Sequence, residues 1–133
     1  MNTSKYLVAS IAAAIWLFIY GFVANVIVLG NYWAANTSPG LMRAEDEQIM
    51  WAIAASMLVQ ALALGYIFTR NFEGKGIGEG VRFGLLIAAF VAGIYLLFYA
   101  IQPWGLAGTF VAMIADGIGY VGTGIVLSLL YKK

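Results

Sequence analysis

Residues 106–131 read LAGTFVAMIADGIGYVGTGIVLSLLY, 26 positions that hold one charged side chain, Asp116, among apolar and small residues. At about 1.5 Å of rise per residue, a helix of that length outruns the ~30 Å hydrocarbon core of a bilayer. So long an apolar run predicts a transmembrane helix rather than a soluble core helix. Its carboxylate is the anomaly. A charge at that depth costs about 3 kcal/mol or more, which makes Asp116 a candidate functional group by default.

Working outward, residues 6–29, 49–68 and 81–101 form three further segments of spanning length and apolar character. With 106–131 they predict an all-α polytopic membrane protein, a single domain over residues 1–133 in which four transmembrane helices form one bundle. The composition agrees: 63% of residues are hydrophobic and 10% charged, where soluble proteins carry about 25% charged residues. The first segment exceeds the roughly 7–15 apolar residues of a secretory signal, so it is expected to be retained as a span.

Orientation follows from where the basic residues fall. Lys5 precedes the first span, Arg70, Lys75 and Arg82 flank the connection between the second and third, and Lys132 and Lys133 follow the fourth. Only Arg43 lies on the other side. Both termini are therefore expected in the cytoplasm, with the protein multi-pass in a cell membrane, the inner membrane if the source is bacterial.

The same inventory excludes several chemistries. Cys and His are both absent, which removes disulfides, thiolate nucleophiles, His-ligated haem, zinc sites and His acid/base catalysis from this chain. No enzyme activity, cofactor or metal is expected. A net charge of +1 supplies no field for nucleic acid. Of the carboxylates, Glu45, Asp46, Glu47, Glu73 and Glu79 lie in loops or at span ends. Only Asp116 is placed inside the membrane.

The connections read as ordinary membrane-protein loops. Trp33, Trp51 and Trp104 fall at span ends, where amphipathic rings anchor at headgroup level. Pro39-Gly40 marks a turn, and RAEDEQ (43–48) reads as a helix start whose carboxylates favour the positive end of the helix dipole. The stretch NFEGKGIGEG (71–80) alternates glycines, yet it neither follows a strand nor ends in Gly-Lys-Ser/Thr, so it is read as a helical hairpin near anionic lipid rather than a phosphate loop.

Membrane helices pack through small residues that let backbones approach, and through polar side chains that bond across. On the fourth span Gly105, Gly108, Ala112, Ala115, Asp116, Gly119, Gly122 and Thr123 share one arc of about 120°. Gly117 and Gly124 lie on roughly the opposite side, outside that surface. The third span carries Gly84, Ala88 and Ala92 at four-residue spacing, a stripe continued by Tyr95, Tyr99 and Gln102. Counting depth from the outer boundary puts Asn25 about 7 Å in, Tyr95 and Ser56 about 10, Asp116 about 13 and Gln60 about 16. One intramembrane polar cluster is thus expected: Asp116, Gln60, Ser56, Tyr95 and Asn25.

That cluster admits three readings. A neutral Asp116 donates to Gln60, a tyrosine or a carbonyl and holds the bundle together. Alternatively it is the proton or cation site of a small oligomeric carrier or channel, as intramembrane carboxylates often are. In the third it meets another subunit, or a bound lipid, quinone or pigment. Small-residue faces in excess of one contact favour a non-catalytic accessory, structural or assembly subunit, with other membrane subunits or further copies of the chain as partners beside the lipid bilayer. Burial of those faces within the bundle would weaken that preference.

The stretch EGKGIGEGVRFGLLI (73–87), an aromatic third span and a small-residue fourth span ending in SLLYKK together resemble small, functionally uncharacterised four-span membrane proteins of bacteria. The resemblance implies the four-span fold and transfers no catalytic or binding residue. The small multidrug carriers differ, because their key carboxylate lies in the first span and this first span has no acid. The cysteines of quinone-linked disulfide enzymes are also missing.

Overall fold

The computed structural model describes residues 1–132. Among them the ordered elements are all helical: α1 (Thr3–Phe22) continued by a π-helical segment (Val23–Val28), α2 (Gly30–Asn36), a 3₁₀ turn (Glu45–Glu47), α3 (Met50–Arg70), α4 (Ile77–Ile101) and α5 (Leu106–Leu130). Four helices are long and apolar enough to cross a membrane: Thr3–Val28, α3, α4 and α5. Large apolar side chains such as Val59, Leu86 and Phe90 stand exposed on them, each at least 66% accessible. A soluble monomer rarely tolerates so much exposed apolar surface, whereas acyl chains would cover it.

Helix limits follow local chemistry. The Asn2 side chain caps α1 by accepting from the Lys5 N–H at 3.1 Å. RAEDEQ does not begin α3. Its three carboxylates occupy the 3₁₀ turn, and extended backbone at Gln48 and Ile49 separates that turn from the helix at Met50. α4 starts at Ile77, after Gly76, whose φ of +76° suits only glycine among common residues. Glu79 therefore sits in a helical first turn rather than in a loop. It is buried, and its two carboxyl oxygens accept from the backbone N–H groups of Glu73 (2.7 Å) and Lys75 (2.8 Å), closing the connection from α3.

Laterally the order is α3, α1, α5, α4. α1 packs on both α3 and α5, α5 packs on α4 along most of its length, and α3 touches α5 only marginally. The main packing therefore runs as a row through α1 and α5 with α3 and α4 as its flanks, and the two flanks meet at one end, where Phe68 of α3 packs on Phe83 of α4.

Three different devices join the row. Between α4 and α5, backbones meet: a Cβ on Gly80 or Gly124 would strike the backbone of the other, and one on Gly84 would strike Val121 Cα at 2.5 Å. Between α1 and α5, aromatic rings fill glycine notches. Trp16 lies over Gly122 and donates from Nε1 to the Gly119 carbonyl at 2.8 Å, while Tyr20 lies over Gly119 and donates to the Ala115 carbonyl. Between α1 and α3, Ala9, Ala13 and Ala61 are fully buried, and Tyr6 donates to the Leu62 carbonyl at 2.9 Å.

Both termini lie at one end. There the Asn2 N–H donates to the Tyr131 hydroxyl at 3.3 Å and the Lys5 ammonium to the Lys132 carbonyl. Phe68, Phe72, Phe83 and Tyr131 pack beside them with ring centroids 5.1–5.9 Å apart, tilted for Phe68 with Phe72 and edge to face for Phe68 with Phe83 and Phe72 with Tyr131. This termini end holds the densest part of the core. The opposite end, carrying α2 and the connection to α3, will be called the loop end.

Candidate functional site: a cavity at the loop end with Asp116 in its wall

At the loop end the row is hollow. A cavity of about 580 Å³ lies between the π-helical segment, α2 and the chain after it on one side, and the facing ends of α4 and α5 on the other. Exposed residues such as Asn36, Leu41 and Pro103 border it, so it communicates with the surroundings at that end.

The small residues of α5 create this space. Gly108 and Ala112, two turns and one turn before Asp116 respectively, line the cavity and put little volume into it. A Cβ on Gly108 would find Trp33 and Tyr32 no nearer than 3.9 Å, ordinary van der Waals contact. On the α1 side, the chain passes from α-helix into wider π turns at Val23, where the Leu29 N–H bonds the Ala24 carbonyl five residues back. π segments are rare and frequent at functional sites. This one carries Asn25, which lines the cavity, donates to the Gly21 carbonyl at 3.1 Å and accepts from Trp33 Nε1 at 3.2 Å. α2 and the following residues cover the cavity, and Ser38 ties that cover to the α4–α5 connection by donating to the Pro103 carbonyl at 3.0 Å.

Asp116 is half-buried and lines the cavity. Its Oδ2 accepts from the Tyr95 hydroxyl of α4. Among the described residues no protein group bonds Oδ1, and the cavity wall contains no other acid and no base. The Tyr95 ring leans against Trp104 (centroids 5.8 Å apart), which in turn meets Phe98 edge to face at 5.5 Å. Trp104 Nε1 is buried without a partner, and nothing in the structure explains it.

The five residues expected to form one cluster divide into two. Asp116, Tyr95 and Asn25 share the cavity. Gln60 and Ser56 do not: they sit on α3, where Gln60 donates to Ser56 at 2.9 Å and accepts from Tyr120 of α5 at 2.6 Å. Neither Gln60 nor Ser56 lines the cavity, and their route to α5 is the Tyr120 hydroxyl. Tyr120, four residues after Asp116, is the link that sequence reading missed, although an i+4 count would have placed it on the same face of α5.

The expected packing residues also divide. Gly84 meets α5 backbone, and Ala88 is the nearest neighbour of Gly117. Ala115, Gly119 and Gly122 serve α1, whereas Gly108 and Ala112 serve the cavity. Ala92 is half-buried. Gly124, unexplained from sequence, makes the closest approach to α4. Of the three tryptophans assigned to interface anchoring, Trp51 is 77% exposed. Trp33 and Trp104 line the cavity.

Among the described residues no three His, Cys, Asp or Glu side chains converge as a metal site would require. No family model, curated protein or solved structure matches the chain. The functional reading therefore rests on this geometry.

Proposed function

We infer that the protein is a small, oligomeric, non-catalytic carrier or channel of the cell membrane in which Asp116 binds a proton or a monovalent cation. The observation that carries this reading is a lone carboxylate in the wall of a cavity large enough for roughly twenty waters at ~30 Å³ each. An isolated carboxylate among apolar helices is expensive unless its charge is balanced. One proton or one monovalent cation neutralises it, and a divalent ion would overshoot. With both termini in the cytoplasm, as the basic residues favour, the cavity opens to the outside.

The test is flux in liposomes containing the purified protein. A pH- or cation-gradient-driven flux that falls at least tenfold in Asp116→Asn supports the site. Undiminished flux in that variant would remove it.

A second reading, an accessory or assembly subunit, draws on a different place. Ser56 is exposed on the open α3 flank with Gln60 beside it, and polar side chains at span depth commonly bond a neighbouring helix. The small-residue faces that first favoured a foreign partner are largely occupied within the chain, by Trp16, Tyr20 and α4. The α3 flank suits a second copy as well as another subunit. Gentle purification separates these: a stoichiometric foreign protein supports the subunit, and a homo-oligomer supports the carrier.

A further inference from the structure

The cavity also speaks to the kind of cation. We propose that it takes an organic monocation, an ammonium group with an apolar substituent, whose charge pairs with Asp116 and whose body lies among Trp33, Tyr95 and Trp104. This deepens the cation reading above and rests on it. Three observations point the same way.

The first is size: about 580 Å³ falls within the ~300–1,000 Å³ range of small-molecule sites and far exceeds a bare metal ion. The second is the wall. Asp116 supplies the sole carboxylate, with amides and hydroxyls such as Asn36, Gln102 and Thr109, and beside them stand aromatic rings and the apolar side chains of Leu41 and Met42, which the oxygen shell of an inorganic cation does not use. Ring faces attract ammonium groups through their quadrupole, most strongly for tryptophan, and sheltered sites strengthen the effect. The third is preorganisation. Tyr95 donates to Oδ2, fixing the carboxyl group, and Tyr95, Trp104 and Phe98 pack in series so that the rings stand in place before any ligand enters. Asn25 in turn holds the Trp33 indole from the opposite wall.

Benzyltrimethylammonium chloride, titrated calorimetrically into the purified protein in a non-ionic detergent, is the direct probe. Saturable one-site binding is expected, weakened at least tenfold in Asp116→Asn and severalfold in Trp104→Leu. The unaltered protein gives a check that needs no variant. Proton and ammonium compete for one carboxylate, so affinity should fall by up to tenfold per pH unit once the solution is acid enough to protonate Asp116. The other titratable groups around it are phenols, Tyr95 from α4, Tyr20 from α1 and Tyr120 from α5 itself, and unperturbed phenols ionise only near pH 10.

Sodium or potassium binding at Asp116 in place of the organic cation, with Asp116-dependent flux intact, would overturn the ligand class and leave the cation site standing. Equal binding of the probe by Asp116→Asn would overturn the ligand pairing, and if flux were also unchanged the broader reading would fall with it.

Discussion

The two ends of the molecule use the same small residues for opposite purposes. At the termini end, Gly80, Gly84 and Gly124 bring α4 and α5 into backbone contact, and Phe68, Leu127 and Tyr131 above them are at most 2% exposed. At the loop end, a Cβ on Gly108 of the same α5 would meet nothing nearer than 3.9 Å, and Gly108 and Ala112 line a cavity. A glycine in these long apolar helices thus marks either a contact or a void. Which it is depends on the facing element: a glycine of α4 in one case, the α2 cover in the other.

That contrast is open to direct attack. The largest effect is expected from Gly124→Val, because even a Cβ there strikes Gly80 backbone, which cannot rotate away. Overpacking of this kind costs about 3 kcal/mol or more, and the variant should lose its folded peak in detergent on size exclusion. Glu79→Gln comes next. The amide has one acceptor where the carboxylate offers two, and its NH₂ would oppose a backbone N–H, so about 1–3 kcal/mol of stability should go, seen as a lower thermal midpoint. Gly108→Ala, by contrast, should lie within about 0.5 kcal/mol of the unaltered protein, since its Cβ has room. A large loss there would mean that the loop end is as tightly packed as the other.

The smallest effect is electrostatic. Glu73, on the surface, is held below its ordinary 4.5, first by its hydrogen bond from Lys75 and then by the charges of Arg82 and Lys75. A depressed carboxyl stabilises the folded loop fully above its unfolded value and loses that contribution as pH falls through the folded one. Protection of the amides in residues 71–76, taken as the ratio of intrinsic to observed exchange rate at each pH, should therefore change little between pH 5 and 8 and fall below pH 4.5, and Glu73→Gln should remove the acid-linked part of that change.

How much of this was legible in sequence depends on the kind of information each feature carries. The candidate spans show directly, because apolar length is a property of a single segment. So did Asp116, by cost alone, and its partner Tyr95, by depth. Lateral position was hidden: depth assigns Gln60 and Asp116 to one level, but only the fold shows that Gln60 bonds Tyr120 and stands outside the cavity. Helical periodicity found the α5 face used by α1 and the cavity, yet it could not tell which glycines face a ring, a backbone or a void. Glu79 falls in a stretch that reads as a connection, because the glycines around it mask a helix start. The π turns at Val23–Val28 leave no signature in VANVIV, whose apolar residues fit an α-helix equally well.

Charge-selective labelling of the cavity tests the central claim most directly, and the absence of native cysteine makes the background clean. Ala112→Cys places a thiol in the cavity wall one turn from Asp116, and Ser10→Cys places one in the fully buried α1–α3 contact. The expected result is reaction of the Ala112→Cys thiol with a cationic methanethiosulfonate at least tenfold faster than with an anionic one. That preference should collapse when Asp116→Asn is added, and Ser10→Cys should stay unlabelled. Equal rates for both reagents at Ala112→Cys, or no reaction there at all, would contradict an accessible cation site at Asp116.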